Sequence, residues 1–284
     1  MNRLKAAKTI SAITNPPIIC IPLFLIICII LSNGNFNSFI VLESISLVFT
    51  SILPMIIIVY WAKRLDTDRD ISNRKDRFTP LIVGIISYFI GFLVSLILGT
   101  NDFLTALLLC YSINTGVVLL ITVKWKISVH TTGLSGPVGA LILLLGPTGA
   151  LFGIIYPILI WSRVTLEKHT SAQAIAGGVQ GFFLTVLEMY MFISLFNFNV
   201  GNLVPLTDCI WYILAIISAP VILGILSYAH MNKIVFSAAV IIGFTVFLEY
   251  APLSASVIYI LVCLTSCLIS LYAGEDYEWS DVLI

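Results

Sequence analysis

Charge is what this chain has least of. Of its 284 residues only 10% are charged and 60% are hydrophobic, with a mean hydropathy of +1.09. A soluble domain carries about 25% charged and roughly 45–50% apolar residues, so a soluble globular class is excluded. Lysine and arginine (14) balance aspartate and glutamate (14), which excludes a basic nucleic-acid face and implies no acidic polymer as partner. Histidine is scarce, with three copies. The six cysteines, Cys20, Cys28, Cys110, Cys209, Cys263 and Cys267, all fall inside apolar runs. A disulfide or metal framework wants regular loop spacing, so these read as small buried hydrophobes. No His/Cys/Asp cluster has ligand spacing, and no metal or other cofactor is expected. A cleavable leader is not expected either, because the first apolar run is long enough to remain as a span. What is left is an all-α, polytopic, integral membrane helical bundle.

What is present is a succession of apolar runs. Basic Met1–Lys8 precedes a run over about 10–31 that contains Asn15-Pro16-Pro17 and Pro22. Neighbouring helices can re-satisfy carbonyls freed by proline in a membrane, so a kink is expected here rather than a stop. Further spans are expected at about 40–61, 80–98, 103–123, 172–195, 208–228, 234–249 and 253–272. Most have about the 20 apolar residues a bilayer requires. The chain divides into two amino-terminal spans (1–62), a polar-rich central part (63–197), three further spans (198–273) and an acidic tail (274–284).

The stretch 137–161 is apolar enough for one span. One crossing, however, would place Lys124, Lys126 and His130 opposite Arg163, Lys168 and His169. Gly146-Pro147-Thr148-Gly149 divides it into pieces of 9 and 12 residues. Such pieces are too short to cross at about 1.5 Å per residue, and Gly-Pro punctuation reads as a turn. A short helical hairpin that enters and returns is therefore expected, making about eight full spans in all. All fourteen basic residues then share one face. The preference for basic cytoplasmic loops puts the amino terminus and the polar loops in the cytoplasm of a cell-membrane protein.

Three polar segments interrupt this scheme: Asn73-Arg74-Lys75-Asp76-Arg77-Phe78-Thr79-Pro80, Lys126-Ile127-Ser128-Val129-His130, and Ser162-Arg163 with His169 after five intervening residues and Gln173 four further on. Order and spacing resemble the three signatures of the type 2 phosphatidic acid phosphatase (lipid phosphate phosphatase) superfamily. The likeness is to a divergent branch with Lys-Ile-Ser-x-His in the second signature and glutamine in the third. It covers about 66–181, making 63–197 a phosphatase-like core. It implies an integral membrane hydrolase of lipid phosphates or prenyl mono- and diphosphates, working without metal. By resemblance His169 is the nucleophile that becomes phosphohistidine, and His130 protonates the leaving oxygen. Arg163, Arg77, Arg74, Lys126, Ser162 and Ser128 hold phosphate oxygens, and Gln173 orients His169 where the family usually has aspartate.

The residue types suit that chemistry on their own account. Phosphoryl transfer needs an in-line nucleophile, cations about the equatorial oxygens and an acid for the leaving group. Arginine offers a permanently charged fork, and histidine works in either protonation state near neutrality. Plainer roles stand beside these. Arg163 and Lys168 can anchor a span end at the interface, Thr170 and Gln173 fit a capping box, and Gly177 and Gly181 suit close helix packing. His230 reads as solvated, while Glu188 is either functional or a hydrogen-bonded core residue. Two other functions are open. Asp66, Asp68, Asp70 and Asn73 faintly resemble the aspartate-rich loop of membrane prenyltransferases, though no second such loop follows. A non-catalytic lipid-binding scaffold or transporter of the same fold is the third. The expected partners are the bilayer and a lipid or prenyl phosphate; no oligomeric state is implied.

Overall fold

A computed structural model describes residues 3–66, 73–228 and 233–273. Asp68, Asp70, Arg69, His230 and the acidic tail lie outside them. The described chain is helical throughout, with no strand. Among the described residues five helical stretches are long and apolar enough to cross a membrane, and a sixth is reached if one bent pair counts as a span.

That bent pair is α1 (Arg3–Ile13) and α2 (Pro16–Leu31), which meet at 58°. The expected kink in one helix is thus a true interruption. Asn15 precedes two prolines and takes ψ 131°, out of the helical region, because a following proline ring clashes with a helical residue before it. Pro22 sits inside α2. Next, α3 (Phe36–Ser46) runs through a π-helical turn, Leu47–Ile52, into α4 (Leu53–Arg64). Pro54 has no N–H to give, and the Phe49 carbonyl instead accepts from Ser87 Oγ at 2.8 Å on the next helix.

A 3₁₀ turn, Lys75–Arg77, opens α5 (Phe78–Ile97), and α6 (Asp102–Thr122) follows. Then comes the hairpin, longer than the sequence suggested. Its first limb, α7 (Val129–Leu145), has 17 residues and holds Pro137 in its interior. The chain reverses at Gly146, whose φ of +57° combined with ψ −122° is easy only for glycine. A Cβ on Gly149 would lie 2.2 Å from the Leu141 carbonyl oxygen, so the turn closes tightly there too. The return limb comprises α8 (Pro147–Ala150), a 3₁₀ turn (Leu151–Ile154) and α9 (Ile155–Thr165), 19 residues that are themselves long enough to cross. Pieces of 9 and 12 residues came from taking Pro137 as the start, whereas the helix begins at Val129, capped by Ser128. The limbs still return to one end: His130, near the start of α7, lies beside Arg163 in the last turn of α9.

The remaining helices are α10 (Ser171–Phe196), α11 (Leu206–Tyr228), α12 (Lys233–Tyr250) and α13 (Leu253–Ala273), close to the expected bounds. α10 packs on α7 through glycines. A Cβ on Gly177 would meet Thr131 Oγ1 at 2.4 Å and the Ser128 carbonyl at 2.5 Å, and one on Gly181 would meet Ser135 Cβ at 2.8 Å. Without side chains the two backbones approach closely, and that contact positions the site.

Candidate active site

Three chain segments converge at the end of the bundle where the hairpin opens. The Ser128 hydroxyl accepts the Thr131 N–H and caps α7, while the Ser128 N–H donates to the Gln173 carbonyl at 3.2 Å. The starts of α7 and α10 are thereby tied together. His130 falls on the first turn of α7. The return limb ends in a left-handed residue, Glu167 at φ +53°, with the Lys168 N–H bonded back to the Arg163 carbonyl at 3.0 Å. This turn brings His169 back toward Arg163. Thr170 and Gln173 then form a complete capping box at the start of α10.

Four of the expected groups are brought together. Arg163 Nη1 lies 3.5 Å from His130 Nε2. Arg77 donates to the Ile127 carbonyl at 3.4 Å, which holds it against the loop before His130. His130, His169 and Arg77 all line one cavity. All four side chains are buried, Arg163 completely.

His169 is held in one tautomer. Its Nδ1 lies 3.1 Å from the Lys126 carbonyl and 3.3 Å from Gln173 Oε1, both acceptors. The proton therefore sits on Nδ1, leaving the Nε2 lone pair available, and Nε2 is buried with no hydrogen-bond partner. Burial first, then the positive charges of Arg77, Arg163 and Lys126, push the imidazole down to about pKa 2. It is neutral at rest. Gln173 thus serves the capping box and the histidine together, with the Lys126 carbonyl as the nearer orienting group.

Other expected contacts are placed differently. Ser128 is spent on capping, and Ser162 donates to the Ala7 carbonyl at 2.8 Å. Both hydroxyls hold structure together. Arg74 is half-buried in the turn before α5 and lines neither cavity near the histidines. Lys126 lines an open pocket on the other side of His169 with Glu167, Lys168, Thr170 and Gln173. Among the described residues no three His, Cys, Asp or Glu side chains gather as a metal set.

His169 therefore stands between two spaces. One is the polar pocket just named. The other is a mainly apolar cavity of about 120 Å³, walled by α2, α4, α5, α6, α7 and α10. Arg77, His130 and His169 lie at one end, and the walls carry Pro17, Pro54, Leu81, Tyr88 and Tyr111. Tyr111 packs edge-on against Phe24 at 5.3 Å and Tyr88 at 5.5 Å.

Two groups of functional interest were not singled out from the sequence. Asn114 Nδ2 donates to Glu188 Oε2 at 3.1 Å and Thr185 Oγ1 at 3.2 Å, and Gln180 joins Asn114 to Thr132. This buried chain crosses α6, α7 and α10 and makes Glu188 a hydrogen-bonded core residue. Strong polarity inside apolar helices was the available signal for Asn114 and Gln180, as it was for Glu188. The second group is Ser11, taken up below. Compared with protein-family models, curated proteins and solved structures, the chain matches none, so the chemistry of the site is argued from its residues.

Proposed function

We propose that the protein is an integral membrane phosphatase that hydrolyses lipid phosphates or prenyl mono- and diphosphates through a phosphohistidine. The observation that carries this is the convergence of His130, His169 and Arg77, from three distant segments, on one apolar cavity, with the buried Arg163 guanidinium directly behind His130. His169 Nε2 attacks phosphorus as the bond from phosphorus to the leaving oxygen breaks. The electron pair goes to that oxygen, which takes a proton from His130 as imidazolium, a form the bound phosphate anion must favour because burial and the neighbouring cations otherwise hold this group neutral. Water then attacks the phosphohistidine, giving its proton to His130, and the N–P bond returns its pair to Nε2. Arg163 and Arg77 hold the equatorial oxygens through both steps, and Lys126 adds positive charge beside the nucleophile. Phosphate leaves through the polar pocket beside Lys126 and Lys168, and the apolar product through the cavity.

About eight full spans plus the hairpin accommodate the helices. The basic loops then share one face, and their charge places the site on the cytoplasmic side of a multi-pass cell-membrane protein. A hairpin that crosses and returns leaves this sidedness unchanged.

The test is phosphate release by detergent-purified protein from prenyl diphosphates, prenyl monophosphates and phosphatidate, with chelator or with added magnesium. Chelator-resistant release that His169→Ala lowers by at least ~10³-fold, about 4 kcal/mol of barrier, is expected. Folded wild-type protein releasing nothing from any of these lipids sinks the reading in favour of a non-catalytic scaffold.

A further inference from the structure

The three polar segments that resemble a phosphatase lie within 66–181, yet the structure completes their site with a residue from outside them. Ser11 is on α1, the short amino-terminal helix set at 58° to α2. Its hydroxyl accepts a hydrogen bond from Nη1 of Arg163, the same nitrogen that faces His130. Its backbone carbonyl accepts from the His130 imidazole. One residue thus touches both the guanidinium and the imidazole. Ser11 is itself buried, so these contacts are made away from water.

The helix that carries Ser11 is fixed to the hairpin independently. Ser162 Oγ donates to the Ala7 carbonyl at 2.8 Å, and Ala6 and Ala7 pack on Trp161. Small residues at 6, 7 and 11 form the buried face of α1 and let it lie close on α9, while Lys5, Lys8 and Thr9 point outward. At its far end α1 meets the Asn15-Pro16-Pro17 corner, and all three of these residues line the apolar cavity. α1 therefore links the wall of the cavity to the buried guanidinium of Arg163.

A serine on a helix packed for its own sake needs only to be small. Alanine would fill that place and leave the packing of Ala6, Ala7 and Trp161 intact. A hydroxyl aimed at a completely buried guanidinium does something more: it fixes the plane of the fork, and so the direction of the donors that meet phosphate oxygens. We infer that Ser11 is a positioning residue of the catalytic site, and that α1 is part of the catalytic unit, locking Arg163 and His130 in the orientation phosphoryl transfer needs. This rests on the phosphatase reading above.

The test compares full-length wild type, Ser11→Ala, Ser11→Thr and, as a control on the outward face of the same helix, Thr9→Ala. Four quantities are followed: kcat and KM for the best prenyl phosphate of the panel, the affinity for orthovanadate from its thermal stabilisation, and the melting temperature without ligand. Ser11→Ala is expected to lower kcat by about tenfold to a hundredfold, the range of a hydrogen bond to a charged group. KM should change little, vanadate affinity should fall in proportion to kcat, and the unliganded melting temperature should fall by no more than the loss of one buried hydrogen bond. Ser11→Thr, which keeps the hydroxyl, restores most of the loss, and Thr9→Ala behaves as wild type. Ser11→Ala with wild-type turnover and vanadate affinity overturns the inference and leaves the phosphatase reading standing. Equal losses in Ser11→Ala and Ser11→Thr, together with a lowered melting temperature, also overturn it, because packing alone then explains the serine. A wild type that neither releases phosphate nor binds vanadate removes both.

Discussion

A histidine that attacks phosphorus must present a lone pair, and the Lys126 carbonyl and Gln173 Oε1 decide which nitrogen of His169 has one. Burial with the Arg77, Arg163 and Lys126 charges holds its pKa near 2, so protonation does not silence it across the physiological range. The acid limb of kcat/KM should accordingly lie well below the ordinary histidine value of about 6.5. Arg77→Gln removes a positive charge, which favours the imidazolium, raises the pKa and moves that limb to higher pH. Gln173→Glu acts in the same direction by placing a carboxylate where Oε1 now lies 3.3 Å from Nδ1. Profiles of each variant and wild type on one substrate share the substrate's own ionisation, so the difference belongs to the protein. A limb that stays put in both variants would mean that another group controls it. His130, Arg163, His169 and Gln173 were legible because side-chain identity and spacing carry their chemistry. The Lys126 carbonyl was not, since every residue has one and only the fold aims it. Ser11 escaped notice because it stands 152 positions before its partner Arg163, and a serine in an apolar helix is commonplace.

Among the elements, the seam between α7 and α10 sets the distance between the two histidines. Gly177 has no room for a Cβ, since Ser128 backbone and Thr131 Oγ1 lie within 2.5 Å of where it would be. Gly177→Ala must push the helices apart. It should cost about 1–3 kcal/mol of stability, as overpacking does, and lower turnover by more than thermal destabilisation accounts for. Gly116, on α6, has nothing within 4 Å of an added Cβ. Gly116→Ala should therefore leave turnover alone and raise stability by up to about 1 kcal/mol through helix propensity. Melting temperature and kcat measured on both variants make the check, and similar behaviour of the two would remove the seam from the account. Most helices were legible from apolar length alone, as α10 and α13 show. The hairpin was misjudged because proline usually marks a helix start, whereas Pro137 is enclosed in α7 and the cap that matters is Ser128. The break between α1 and α2 was legible as a disturbance in Asn15-Pro16-Pro17. The direction in which α1 then turns depends on Trp161 and Ser162, far along the chain.

Across the whole molecule the chain divides into a charged pole and an apolar depth that meet at His169, the division on which the proposal of an amphipathic phosphate substrate rests. If the cavity holds the tail, filling it must penalise long chains and spare short ones. Gly84 lines the cavity, and a Cβ there meets only Tyr88 Cε2 at 3.6 Å and Thr115 Cγ2 at 3.8 Å, ordinary contact distances. Gly84→Leu therefore has space for its side chain only at the expense of the substrate's. Burying a methylene is worth about 0.8 kcal/mol, so excluding three or four costs roughly 3 kcal/mol, on the order of a hundredfold in kcat/KM. That loss should fall on a long prenyl phosphate, while a short-chain phosphate ester, whose tail ends before Gly84, keeps its wild-type rate. Gly136→Ala, also on the cavity wall, should do the same to a smaller degree. Competition between long and short substrates in one reaction reads the ratio directly and cancels any difference in folded fraction. Equal loss on both substrates would place the damage at the catalytic pole and separate the cavity from the tail. A loss confined to the long chain would make the distance from His169 to Gly84 the measure by which this protein selects among lipids that share one head group.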